Sequence, residues 1–282
     1  MMKSVVVTGV STGIGWGAAK VLIARGFRVF GSVRKAADAE RLQAEFGPNF
    51  TPLIFDVTDE ISVGRAASQV RTALNGETLF GLVNNAGVAV AGPLLNLPIS
   101  EFRYQMEVNV TGVVIATQAF APLLGADKDL KGPPGRIVMI SSVGGKNATP
   151  FLGPYSASKF AIEGLSESLR RELILFGIDV IVVAPGAVAT AIWGKAEEVD
   201  VSRYDNSPFA PALKRIRSYM TSLGAKGLKP EVLGEAIHTA LTVGGPKVRY
   251  TITPSPFENF MVNILPKRMV DRTLAKRLGL NP

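Results

Sequence analysis

The sequence predicts an α/β fold: one doubly wound parallel sheet with helices on both faces, followed by a C-terminal helical extension. Three observations carry this reading. Short apolar runs alternate with longer mixed ones along most of the chain. The first of the short runs, Val5–Thr8, is β-branched and apolar, as a strand buried on both faces is. A glycine-rich turn follows it.

Residues 5–8 are a β-branched run that opens onto Gly9, so they read as the first buried strand. A helix over residues 15–25 is stopped by Gly26. A strand over 28–33, a helix over 36–46 and a strand closing on Phe55-Asp56-Val57 follow. The cycle continues with a helix over 61–74, a strand over 79–84, a helix over 102–124 and a strand over 136–140. A helix over 155–176 and a strand over 179–183 complete it. Such βαβ units require right-handed crossovers. Residues 187–229 break the alternation and carry Trp193, Tyr204, Pro208, Phe209 and Pro211. A connection that long in a compact domain predicts a substrate lid. A short strand is expected at Arg249-Tyr250. In the tail, Ser255 reads as an N-cap, Pro256 as the first helical residue and Glu258 as its capping-box partner. Phe257, Phe260, Met261, Ile264 and Leu265 then mark one apolar helix face. Pro266 breaks that helix, and a second, basic one is expected over 267–278. The chain thus divides into one Rossmann-like domain over 1–254 and a basic amphipathic tail over 255–282.

Composition narrows the function. The chain has 282 residues, near the upper end for one domain. Hydrophobic residues are 47% and charged ones 19%, which argues against disorder. Cysteine is absent, so disulfides, thiolate catalysis and cysteine metal sites are excluded, and the chain suits a reducing cytoplasm. The single histidine, His238, reads as a structural residue. It leaves no multi-histidine metal site and little room for a Ser-His-Asp hydrolase, so no metal is expected. The net charge is +8. From Lys247 onward there are seven basic and two acidic residues, so the tail holds +5 and the body is nearly balanced. Basic residues are not interleaved with aromatics, so no nucleic-acid partner is expected. The first residues lack the long apolar segment of a signal peptide. The uncharged stretches at 78–100 and 108–126 contain asparagines and prolines, and read as a strand running into a loop and as a buried helix.

The chemistry begins at Thr8-Gly9-Val10-Ser11-Thr12-Gly13-Ile14-Gly15, between the first strand and the first helix. Glycines there permit a tight turn, and the helix N-terminus offers free N–H groups to a pyrophosphate. At the end of the second strand, Gly31-Ser32-Val33-Arg34-Lys35 has no carboxylate for the ribose hydroxyls of NAD. Arg34 can pair with the 2′-phosphate of NADP, with Ser32 adding a hydroxyl. In Tyr155-Ser156-Ala157-Ser158-Lys159, a helix would place Tyr155 and Lys159 one turn apart. An ammonium beside a phenol favours phenolate and lowers its pKa, giving a proton donor and acceptor for neutral pH.

These motifs, together with Asn84-Asn85-Ala86-Gly87, Ser142 and Pro185-Gly186, occur in the order and spacing of one family. Over residues 1–190 the chain resembles the short-chain dehydrogenase/reductase family. In layout it is most similar to the steroid and retinol dehydrogenase branch. The resemblance implies hydride transfer between NADP(H) and the carbonyl or alcohol carbon of a hydrophobic ketone, aldehyde or secondary alcohol. It implies Tyr155 as proton donor and acceptor, and Lys159 lowering its pKa and holding the nicotinamide ribose. Ser142, rather than Ser141, would hold the substrate oxygen, and Asn109 would position a water in a proton relay. It implies cofactor contacts at Gly9, Ser11, Thr12, Gly13, Ile14, Gly15, Arg34, Asp56, Val57, Asn85, Ala86 and Gly87, and at Tyr155, Lys159, Pro185, Gly186, Val188 and Thr190. Asn84 would tie neighbouring strands. Thr12 departs from the basic residue that many NADP-preferring members place there, so the preference rests on Arg34. The pocket walls expected from Val143, Phe151, residues 88–95 and Trp193 are mostly apolar. Family habit implies a homo-oligomer built on the helices around Tyr155. The tail is expected either to touch an anionic membrane surface peripherally or to cover the body or a partner subunit. The alternative reading is a non-catalytic NADP(H)-binding regulator or scaffold. Loss of the serine, tyrosine or lysine would mark it, and all three are present.

Overall fold

The computed structural model describes residues 2–189, 202–225 and 227–280. Seven parallel strands form one sheet in the order β3-β2-β1-β4-β5-β6-β7. They are β1 (Ser4–Val7), β2 (Arg28–Val33), β3 (Phe50–Ile54), β4 (Gly81–Asn84), β5 (Arg136–Ile140), β6 (Asp179–Pro185) and β7 (Arg249–Ile252). The order reverses between β1 and β4, and such a switch opens a crevice at the C-terminal strand ends. The helices before β6 are α1 (Gly13–Ala24), α2 (Ala36–Phe46), α3 (Glu60–Leu74), α4 (Ile99–Met106), α5 (Gly112–Phe120) and α6 (Gly153–Glu172). After them come α7 (Ala210–Ala225), α8 (Pro230–Thr242), α9 (Pro256–Ile264) and α10 (Lys267–Leu278).

Alternation along the strands builds two cores. Val5 and Val7 of β1 pack with α1, α2 and α8 residues such as Leu22, Leu42 and Ile237. Val6 faces the other way, into a cluster with Leu82, Ile137, Val70 and Phe120. A third, smaller cluster joins Tyr204, Leu213 and Ile216 to Leu278 of α10, so the tail packs on α7.

Three boundaries differ from expectation. β3 stops at Ile54 because Asp56 accepts from the Thr58 amide and hydroxyl at 3.0 and 2.8 Å, which turns the chain. The helix expected over 102–124 is interrupted by a π-helical turn at Glu107–Thr111 and ends in a 3₁₀ turn at Ala121–Leu124. The capping box at Ser255 does not form, because its side chain makes no cap bond to α9. The stretch Ile99–Leu124 is long and apolar enough to cross a membrane, but half of it is buried in the core.

Candidate active site

The crevice is built first from the β1–α1 turn. Gly9 and Gly13 take φ of 72° and 64°, which side chains disfavour. A Cβ at Gly9 would lie 2.9 Å from the Ala86 Cα, and one at Gly15 would lie 2.2 Å from the Gly9 carbonyl oxygen. The loop is therefore held against β4 with no room to spare. Thr8 Oγ1 accepts from the Asn85 and Ala86 amides at 3.0 Å each. Asn85 Nδ2 donates to the Thr8 and Gly9 carbonyls at 2.8 and 2.9 Å. Asn85 was expected to line the adenosine ribose. It borders the crevice, but its amide is committed to the glycine loop. Ser32 is likewise a tie: its Oγ accepts from the Gly9 amide at 2.9 Å. Thr12, the residue before α1, makes no side-chain cap bond, so the first N–H groups of α1 stay open to an anion. Arg41, which no motif announced, braces this loop by donating to the Ser11 carbonyl at 2.7 Å.

Gly9, Ser11, Thr12, Gly13, Ile14, Arg34, Asp56, Val57, Asn85, Ala86, Gly87, Tyr155, Lys159 and Pro185 all line one crevice. Gly15 lies behind it and serves the close approach just described. The Arg34 guanidinium is well exposed and 3.8 Å from Asp56, a loose pair that leaves it available to a phosphate. Asn84 ties β4 to α5 and β5, donating to Thr117 Oγ1 at 2.9 Å and Met139 Sδ at 3.3 Å. Gly186 and Val188 are set back from the crevice. A Cβ at Gly186 would meet Thr253 Oγ1 at 2.6 Å, and Val188 is buried in a bridge to Leu228. Thr190 and Trp193 lie outside the described residues.

The reactive end is assembled from β5, α6 and β7. Ser142 follows β5; its Oγ accepts from the Gly144 amide at 3.0 Å and donates to the Pro185 carbonyl at 3.4 Å. Tyr155 enters from the first turns of α6, where burial pushes its phenol up and a hydrogen bond with Ser142 opposes that rise. This contact joins Ser142 to the tyrosine, whereas the Ser141 hydroxyl donates to Glu163 at 2.6 Å. Lys159 was expected to lower the tyrosine pKa. Its Nζ instead donates to the Ile140 carbonyl at 2.8 Å and lies 5.7 Å from the centre of the Tyr155 ring, and burial dominates the phenol. Burial also brings Lys159 down to about 8, against the pull of the Glu163 carboxylate.

Two functional neighbours had no signal in the sequence. Glu163 lies one turn beyond Lys159 and pairs with Arg249 of β7 at 3.1 Å, with both side chains mostly covered. Arg249 also donates to the Ser142 carbonyl at 3.4 Å. The pair thus locks the backbone of the serine to the helix of the tyrosine and lysine. Asn109 sits in the π-helical turn and does not line the crevice. Its Oδ1 accepts from the Val88 amide at 2.8 Å, and its Nδ2 donates to the Val88 carbonyl and Ser158 Oγ at 3.0 and 3.1 Å. A side chain so engaged holds the 88–95 loop rather than a water. Phe151 adopts φ 67°, a left-handed conformation costly for an aromatic residue, and stacks edge-on to Phe209. Its carbonyl accepts from the Gly92 amide at 2.8 Å, so the segments of Gly92, Phe151 and Phe209 are coupled.

Comparison with known proteins gives a consistent picture. The model of the short chain dehydrogenase family matches residues 3–200. The NADPH-dependent 3-dehydrocapnine reductase of Ornithobacterium rhinotracheale is 38% identical over 279 residues, covering 98% of each chain. Dehydrogenase/reductase SDR family member 9 of Bos taurus is 31% identical over 262 residues, 88% of this chain and 79% of that protein. The crystal structure of a short chain dehydrogenase from Burkholderia cenocepacia in complex with NADP superposes with a TM-score of 0.73. It is 25% identical, covering 100% of this chain and 98% of the other.

Proposed function

The chain belongs to the short-chain dehydrogenase family of oxidoreductases, and from that membership we propose that it interconverts a hydrophobic ketone or aldehyde and its alcohol with NADP(H). The observation that carries the proposal is that Tyr155 and Lys159, with Ser142 hydrogen-bonded to the tyrosine, stand in the same crevice as the glycine loop. The crevice fits the cofactor. Its glycine turn is a cradle that a Cβ would fill, the open N–H groups of α1 suit a pyrophosphate, and Arg34 suits a 2′-phosphate. The relative from Ornithobacterium rhinotracheale is NADPH-dependent by name, and the structural neighbour from Burkholderia cenocepacia holds NADP.

When bound, NADP(H) supplies or takes the hydride at the reacting carbon. The Ser142 hydroxyl donates a hydrogen bond to the substrate oxygen, where negative charge develops during reduction. Tyr155 delivers its phenolic proton to that oxygen and, in the reverse direction, removes it. Lys159 holds positive charge under the tyrosine ring and offers its ammonium to the ribose. Glu163 and Arg249 position this group without touching substrate. Apolar lining such as Val88 and Val108 favours an apolar substrate body, whereas Val143 and Phe151, expected as walls, do not line the crevice.

The test is a fluorescence titration of the purified chain with NADPH and NADH, followed by NADPH oxidation against a panel of hydrophobic ketones and aldehydes. NADPH is expected to bind more tightly than NADH. Arg34→Ala should weaken NADPH about tenfold or more, the worth of a charged hydrogen bond, and leave NADH unchanged. Equal loss for both cofactors would remove Arg34 from the 2′-phosphate. Tight NADPH binding with no turnover on any carbonyl would return the chain to a non-catalytic nucleotide binder.

A further inference from the structure

The two C-terminal helices turn apolar and basic faces away from the body. No residue of α9 is buried. Phe257, Phe260 and Ile264 are 74%, 57% and 58% exposed, and their i, i+3, i+7 spacing puts them on one side of the helix. The apolar stripe that a core helix would turn inward is here turned outward, while Asn259 and Val262 on the other side are partly covered. In α10 the inward stripe is Val270, Leu274 and Leu278, with Leu278 clustered against Leu213 and Ile216 of α7. Arg268, Arg272 and Lys276 repeat at the same four-residue step, two positions out of phase. They therefore occupy the opposite face, and all three are exposed. The junction of α9 and α10 is fastened to the segment that follows Ser142. Asn147 Nδ2 donates to Asn263 Oδ1, and Lys267 Nζ donates to Asn147 Oδ1, both at 2.8 Å.

We propose that the α9–α10 surface docks on an anionic lipid bilayer. Phe257, Phe260 and Ile264 enter the interface, and Arg268, Arg272 and Lys276 meet the headgroups. Charge selects this occupant over a second copy of the chain. α9 and α10 together hold five basic and two acidic residues. An isologous contact would set two like-charged basic stripes against each other. An anionic bilayer satisfies both features at once, taking up aromatic and aliphatic side chains below its headgroups and cations among them.

The test is flotation of the full chain with vesicles of phosphatidylglycerol and phosphatidylcholine, and with vesicles of phosphatidylcholine alone. The protein is expected to float with the anionic vesicles only, and less as salt is raised. The double variants Phe257→Ser/Phe260→Ser and Arg268→Gln/Arg272→Gln should each reduce the bound fraction about tenfold or more. Their thermal melts by circular dichroism should match the parent, since none of the four side chains is buried. Deletion of the whole tail is a poorer test because α10 braces α7. A parent chain that ignores anionic vesicles, or a phenylalanine pair that floats as the parent does, would overturn the proposal. So would a parent dimer that the phenylalanine pair converts to monomer, because a second copy would then cover this face.

Discussion

Tyr155, Lys159 and Glu163 follow one another at four-residue steps on α6, so one helix face presents a phenol, an ammonium and a carboxylate in a row. Burial brings Lys159 down to about 8, and the Glu163 anion opposes that shift. A lysine lowered in the folded state carries its charge at a cost below that pH, and the cost fades as pH rises through about 8 and the group discharges. kcat/KM, which reports the free enzyme, is therefore expected to fall on the alkaline side near pH 8. Glu163→Gln removes the anion that favours the charged form and should move this limb to lower pH. A limb that stays in place would mean that Glu163 acts only as a structural tie to Arg249. Tyr155→Phe should lower kcat about a hundred- to ten-thousand-fold, the range of one proton-transfer group, while NADPH still binds. Near-parental turnover in that variant would move the proton donor elsewhere. The tyrosine and lysine were legible in the sequence because their partnership is one helical turn long. Glu163 and Arg249 were not, because their ion pair joins residues 86 positions apart and no short motif spans that distance. Asn109 was legible only by family pattern; its bonds to Val88 and Ser158 give the side chain a different job from the one that pattern suggests.

Elements follow the same division between local and distant causes. The strands were readable because most centre on buried apolar runs, as in Val5–Val7 of β1 and Ile137–Ile140 of β5, and α10 was readable residue for residue from Pro266 and Gly279 at its ends. The π-helical turn at Glu107–Thr111 was not, because the apolar pattern runs straight through it. Gln105 and Asn109 there grip the Val88 and Val90 backbone, 15 to 21 positions away. For α9 the periodicity gave the apolar face but not its direction, which depends on what the body leaves uncovered. The β1–α1 turn makes a measurable case of local propensity losing to packing. Alanine is preferred over glycine in a helix by about 1 kcal/mol. At Gly15 a Cβ would lie 2.2 Å from the Gly9 carbonyl oxygen and 2.5 Å from Asn85 Nδ2, so the loop must move. Gly15→Ala is expected to cost about 1–3 kcal/mol in a denaturant melt and to weaken NADPH binding. Gly64→Ala on α3, where a Cβ meets nothing within 4 Å, should instead be neutral or stabilising by up to about 1 kcal/mol. If both variants behave alike, the close approach at Gly15 does not govern the loop.

At the scale of the whole molecule, one of the apolar regions that the two sheet-face cores leave uncovered lies on α4 and α6. Ile99 and Tyr104 of α4 and Phe160 of α6 are 62%, 47% and 46% exposed, and α4 packs directly on α6. Large apolar side chains gathered on two adjacent helices mark a surface that association covers. Gly164, one turn beyond Phe160, leaves open space where a Cβ would stand, so a facing helix can approach closely. This surface lacks the basic stripe of the tail, and an isologous contact is open to it. The face is carried by the helix of Tyr155 and Lys159, so a partner pressed on it would also stiffen the reactive end of the crevice. Sedimentation at micromolar concentration is therefore expected to show a dimer or a larger assembly. Phe160→Glu, which places a charge at its centre, should yield the monomer. The variant should keep the parent's thermal melt when both are compared at a dilution where the parent is also monomeric, because Phe160 is half exposed within its own chain. A parent chain that sediments as a monomer at every concentration would remove α4 and α6 as an interface. A Phe160→Glu variant that remains assembled would place the contact on another surface.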